Sequence, residues 1–91
     1  EGIVLDDVLP EKIDFIKIDV DGSEPRVLRG LLKTFKRNPQ LKLIIEYYPD
    51  CMLKCGNNPQ EMMDILNEYF TYEQIPGDYG DGYWNYICTR K

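Results

Sequence analysis

Apolar residues fall along this chain in short blocks whose spacing switches between that of a strand and that of a helix. The run "IDFIKIDV", residues 13 to 20, is β-branched, aromatic and mostly apolar, which predicts a short strand buried on both faces. It stops at Asp21-Gly22. Ser23 or Glu24 can then cap a helix that accepts Pro25 in its first turn, where the missing N–H has no partner to lose. Val27, Leu28, Leu31, Leu32 and Phe35 form one stripe at helical spacing, while Arg26, Arg29, Lys33, Lys36 and Arg37 lie largely elsewhere. One amphipathic helix is expected, ending at Asn38-Pro39. Gly30 within it is either a close packing point or a tolerated weakness of about 1 kcal/mol.

"LKLIIE", residues 41 to 46, reads as a second buried strand, so that strand, helix and strand form a parallel βαβ unit. A second helix begins at Asn58 as cap, with Pro59 at its first position, Glu61 three residues after the cap, and Met62, Leu66, Tyr69 and Phe70 as its inner stripe. "TYEQI" and "YWNYICTR" are two more strands, and the short glycine-rich link "PGDYGDG" makes them an antiparallel hairpin. The expected order is β-α-β-α-β-β, an α/β sheet with two parallel strands and the hairpin at its far edge. "LDDVLPE", residues 5 to 11, reads as a strand end leading into a short helical turn.

Composition narrows the functional classes. A chain of 91 residues is one domain at most, and it buries a smaller share of its surface than a full-sized domain. With 11 basic against 16 acidic residues, a net charge of -5 argues against a general binder of phosphate backbones or anionic membranes. No apolar run approaches the about 18 residues of a membrane span. Cys51, Cys55 and Cys88 are odd in number and too few for a disulfide framework, which makes a reducing, cytoplasmic setting the default. "CMLKC" lacks the second pair or the histidines of a zinc site and reads as ordinary loop thiols.

The chemistry centres on "KIDVDGSE", residues 17 to 24. A calcium loop aligned on Asp19, Asp21 and Gly22 would have Lys17 at its first position and Leu28 at its twelfth, where a bidentate glutamate belongs. That reading fails. In an open parallel sheet, ligands lie beyond the carboxyl ends of the strands. The first strand would bring Asp19, Asp21, Gly22 and Ser23 to that edge, and the second Glu46, Tyr47 and Tyr48, making the two groups neighbours. Carboxylates so placed can take a proton, hold a cation or fix a substrate hydroxyl, or they can simply cap backbone. Gly22 would let a ligand approach the main chain closely. With no histidine in the chain, a His-based nucleophilic triad is impossible.

"LDDVLPEKIDFIKIDVDGSEPRVLRGL" followed by "LKLIIEYYP" closely resembles the later half of the FkbM family of S-adenosylmethionine-dependent methyltransferases. That family shows an aspartate-rich leader, a strand running into Lys-Ile-Asp-Val-Glu-Gly-x-Glu, a helix with Val-Leu-x-Gly, and a strand ending in Glu. The likeness covers roughly residues 3 to 50; beyond them only the helix and hairpin order agrees. It implies a partial class I methyltransferase, Rossmann-like sheet. Residues 1–91 would be the C-terminal part of a single domain, supplying its fourth and fifth strands and final hairpin, with the N-terminal cofactor-binding strands absent.

The resemblance further implies S-adenosyl-L-methionine as cofactor and methyl transfer to a hydroxyl of a sugar or natural-product-like substrate, with no metal. By position, Asp19, Asp21 and Glu46 take the catalytic places and Gly22, Ser23, Glu24 and Tyr47 line the substrate; no residue is assigned to the cofactor. Asp21 is one methylene shorter than the usual glutamate, which changes its reach. The isolated chain would then be inactive, and a missing N-terminal half or a partner chain is expected along the open edge of the first strand. The alternative is a non-catalytic remnant acting as an interaction module.

Overall fold

A computed structural model describes residues 9–77 and 82–91. The described residues form a four-stranded sheet with helices against one face. In chain order the elements are β1 (Phe15–Ile18), α1 (Glu24–Arg29), α2 (Leu32–Arg37), β2 (Lys42–Tyr47), α3 (Pro49–Lys54), α4 (Pro59–Tyr69), β3 (Phe70–Gln74) and β4 (Trp84–Arg90). The strands lie in the order β1-β2-β4-β3, with β1 parallel to β2 and both pairs of β4 antiparallel. The hairpin therefore folds back so that the last strand lies inside the sheet and β3 forms its far edge. The mixed α/β class agrees with the pattern of the sequence, but the order β-α-α-β-α-α-β-β has two helices more than expected, and Phe70 opens β3 instead of ending the helix before it. The turn expected over residues 5 to 11 falls mainly outside the described residues.

Three expectations need correction. The helix expected from Ser23 to Asn38 is two helices, because the chain tightens at Gly30-Leu31. There the N–H of Leu31 donates to Leu28 O, three residues back, at 3.0 Å, and Leu31 sits at φ -118°. The apolar stripe survives the break, since Leu28, Leu31 and Phe35 are all buried. The "CMLKC" thiols do not lie in a loop: Pro49 starts α3 in its first turn, Cys51 lies within it and Cys55 caps its end. Finally, β1 is not buried on both faces. Only Ile18 is buried, and Phe15 is 55% exposed, because among the described residues β1 pairs on one edge alone and nothing covers the face bearing Phe15.

The pairing register explains which face the helices cover. Ile16, Leu43 and Cys88 align across three strands, as do Ile18, Ile45 and Tyr86, so alternate residues share one side. On that side Leu43, Ile45 and Cys88 meet Leu28, Leu31 and Phe35 from α1 and α2, Met52 from α3, and Met62 and Leu66 from α4 in one core. Phe35 and Phe70 meet edge to face with ring centres 5.0 Å apart. The opposite side carries Phe15, Lys17, Lys42, Ile44, Ile87 and Thr89.

Polar side chains fix the connections. Asn58 Oδ1 accepts from the Gln60 N–H at 2.9 Å, capping α4 as its sequence implies. Glu61 pairs with Arg29 of α1 at 2.8 Å. Buried Asn38 accepts from the Ile13 N–H and donates to Glu11 O and Thr34 O, tying the strand leader to α2. Among the described residues no helix is long and apolar enough to cross a membrane.

Candidate functional site

The carboxyl ends of β1 and β2 are neighbours because the two strands are parallel, with Ile18 opposite Ile45. One residue further on, Asp19 stands just past the end of β1 and Glu46 next to last in β2. The chain after β1 then turns sharply through Asp21 at φ 51° and Gly22 at φ 104°, both in the left-handed region. Glu24 reaches back across this turn. Its Oε2 accepts from the Val20 N–H at 3.1 Å and its Oε1 from the Gly22 N–H at 2.9 Å. Carboxylate oxygens of Asp19, Glu24 and Glu46 consequently lie within 4.8 Å of one another.

The three acids differ in environment. Glu24 is fully buried and holds the turn, while Asp19 and Asp21 are exposed. Glu46 is partly buried, and its Oε1 is shielded from solvent without a hydrogen-bond partner among the described residues. Desolvation, then the charges of Asp19 and Glu24, then a hydrogen bond with Asp19 and the charge of Asp21, push the Glu46 carboxyl up to about 7. A carboxyl poised there can accept or release a proton near neutrality. Close carboxylates are also an oxygen donor set for hard cations, but Glu24 has both oxygens committed to backbone N–H groups, leaving Asp19 and Glu46 available.

Ser23 stands at the start of α1 without a side-chain cap bond. Tyr47 lies one residue past Glu46, its ring 5.4 Å from that of Trp84, and burial followed by the charge of Tyr86 raises its hydroxyl above the ordinary value. Tyr48 stacks on Tyr83 at 5.0 Å. Gly22 is buried, and the close approach there is made by α3: a Cβ on Gly22 would lie 2.6 Å from Cys51 O and 2.8 Å from Cys55 Sγ.

Sequence reasoning missed the residues that grip this turn from below. Asn57 is buried, and its Nδ2 donates to Gly22 O at 2.9 Å. The thiols of Cys51 and Cys55 donate to Asp21 O at 3.1 and 3.5 Å. Two signals were present: a helix-starting Pro49, and cysteines spaced four apart on what is then one helix face.

An open four-stranded α/β sheet with acidic side chains gathered at the carboxyl edge of its parallel pair is compatible with a methyltransferase-like fold. The family comparison makes this specific: the model of the Methyltransferase FkbM domain matches residues 2–73. The chain belongs to the FkbM methyltransferase domain family. No curated protein and no solved structure matches it.

Proposed function

We propose that this chain is the later part of an S-adenosylmethionine-dependent O-methyltransferase domain acting on a hydroxyl of a sugar or natural-product-like substrate. The observation that carries this reading is Glu46: a shielded, unpartnered carboxylate oxygen on a group whose pKa is about 7, beside Asp19 at the edge of the parallel strands. Ionised Glu46 accepts the proton of a substrate hydroxyl, and the negative field of Asp19 strengthens it as a base. Glu24 holds the turn of Asp21 and Gly22, and in this reading the exposed Asp21 would reach toward the substrate. Ser23 and Tyr47 would orient the substrate, while Gly22, buried against α3, acts through the shape of the turn.

The described residues fit only the reacting end of the cofactor, where carboxylates complement a sulfonium charge. When bound, the cofactor supplies an electrophilic methyl group. No glycine-rich turn opens a long helix among the described residues, so the rest of its pocket is assigned to a missing N-terminal half or a partner chain. Support comes from β1, whose second edge is unpaired among the described residues and whose neighbourhood exposes Phe15 and Val20.

Calorimetric titration of the 91-residue chain with S-adenosylmethionine is expected to show no tight binding; affinity in the low micromolar range or better overturns the incomplete pocket. Once the pocket is completed by co-expression with the polypeptide encoded upstream, transfer of labelled methyl to hydroxyl acceptors should rise as pH passes about 7. Glu46→Gln should lower kcat about 100-fold or more with little change in KM. Unchanged kcat removes Glu46 from the role of base.

A further inference from the structure

The contact between α3 and the Asp21-Gly22 turn is built from two thiols. Residues four apart on a helix share a face, and the Cys55 N–H donates to Cys51 O at 3.1 Å, closing the single turn between them. Both sulfurs converge on one atom, Asp21 O, at 3.1 and 3.5 Å. The Cα separation across such a turn is about 6 Å from helix geometry. Disulfides span Cα separations of about 4.4–6.8 Å but Cβ separations of only about 3.5–4.5 Å, against about 5–6 Å for helix residues four apart, so closure requires the last turn of α3 to shift. Cys55 caps the end of α3 and is exposed, and its N–H bonds to Cys51 O and Met52 O, at 3.1 Å each, are the ones closure would disturb.

We propose that Cys51 and Cys55 are an oxidisable dithiol, a modification site that closes to a disulfide by exchange with a small-molecule disulfide and thereby loosens the Asp21-Gly22 turn. The exposed Cys55 loses its proton to solvent and attacks one sulfur of the external disulfide, forming a mixed disulfide and releasing one thiolate. Cys51 then loses its proton and attacks Cys55 Sγ, expelling the second thiolate. The released thiolates take up the two protons. Two protein thiols are oxidised by two electrons and one disulfide is reduced to two thiols.

The environments of the three cysteines fit this division of labour. Desolvation, followed by Cys55, Asp21 and Glu24, raises the Cys51 thiol, which leaves the first attack to the exposed Cys55. Cys88 is fully buried, with its thiol pushed up to about 12, and takes no part.

Closure has a direct structural consequence. A disulfide has no S–H, so Asp21 O loses both donors while Asp21 is held at φ 51°. Movement of Cys55 Sγ also disturbs the packing beside Gly22, where a Cβ would already lie 2.8 Å from that sulfur. The turn that carries Asp21 and anchors Glu24 is thus coupled to the state of α3. This inference concerns the thiols and the turn alone, and it stands whether or not the carboxylates serve methyl transfer.

The test equilibrates the 91-residue chain in glutathione buffers from fully reduced to fully oxidised, alkylates the remaining thiols after unfolding, and maps the peptides by mass. The expected oxidised product has lost two hydrogen masses, contains a Cys51–Cys55 link and is alkylated at Cys88 only. Its amide resonances at Asp21 and Gly22 should shift and return on reduction, whereas Cys51→Ser and Cys55→Ser should show no such reversible shift. If a variant fails to fold, the reversible change in the native chain still decides. Three alkylatable thiols throughout, a stable glutathione adduct on Cys55, disulfide-linked dimers, or an internal disulfide without a shift at Asp21 and Gly22 would each overturn the proposal.

Discussion

Glu46 illustrates how one residue can oppose stability and serve chemistry at the same time. Its carboxyl is raised from 4.5 to about 7, so between those values the folded chain binds more protons than the unfolded chain. The contribution to stability is full below about 4.5 and is lost as pH rises through about 7. A shift of this size corresponds to about 3 kcal/mol at most, and solvent near the exposed Asp19 reduces it to about 1–2 kcal/mol. Glu46→Gln mimics the protonated form. Urea unfolding of both proteins is expected to show the variant gaining about 1–2 kcal/mol on the native chain from about pH 5 to about pH 8. A difference that stays flat with pH would show that Glu46 is already ionised throughout. Function as a base needs the ionised form, so activity should rise over the range in which this stabilisation fades.

Among the elements, strands β2 and β4 were legible because their apolar runs are bounded by prolines, glycines and polar residues. The start of α4 was equally plain, since Asn58 and Pro59 suffice to place a cap. By contrast, the break between α1 and α2 depends on one tightened turn, which leaves the hydrophobic stripe of Val27, Leu28, Leu31 and Phe35 intact. A period cannot reveal an interruption that preserves its phase. The helix α3 has six residues and only Met52 fully buried, too little for any periodicity. At the site, Asp19 and Glu46 could be placed together from the rule about strand ends, whereas the part played by Glu24 depends on the left-handed turn of Asp21 and Gly22. Asn57 was hidden because its partner, Gly22 O, is a backbone atom 35 residues away.

Asn38 is the joint between these elements. One side chain satisfies Ile13, Glu11 and Thr34, all backbone partners, at 1% exposure. Asn38→Ala would leave buried backbone groups unpaired at about 1–3 kcal/mol in total loss. We expect a lower urea midpoint with an unchanged slope, and faster hydrogen exchange at Ile13 in particular. Exchange at Ile13 as slow as in the native chain would show that another group replaces the asparagine.

At the scale of the whole molecule, the sheet is finished on one face and unfinished on the other. Helices seal the side of Leu43, Ile45 and Cys88, but the reverse carries Phe15 at 55% and Ile87 at 40% exposure, next to a β1 edge unpaired among the described residues. Parallel strands ordinarily have both faces covered, because exposed apolar surface and free backbone donors favour association. The proposed remainder of the methyltransferase sheet would cover both. The same surface should make the isolated chain self-associate as concentration rises. Replacing Phe15 and Ile87 together by lysine removes exposed apolar area, and because each side chain is also part-buried, stability should fall by about 1 kcal/mol per site. Sedimentation under native conditions, without urea, is expected to show association in the native chain and its loss in the double variant, with a modestly lower urea midpoint for the variant. If both proteins remain monomeric at every concentration, this face does not drive association, and the unpaired edge of β1 is left as the principal support for a missing neighbour.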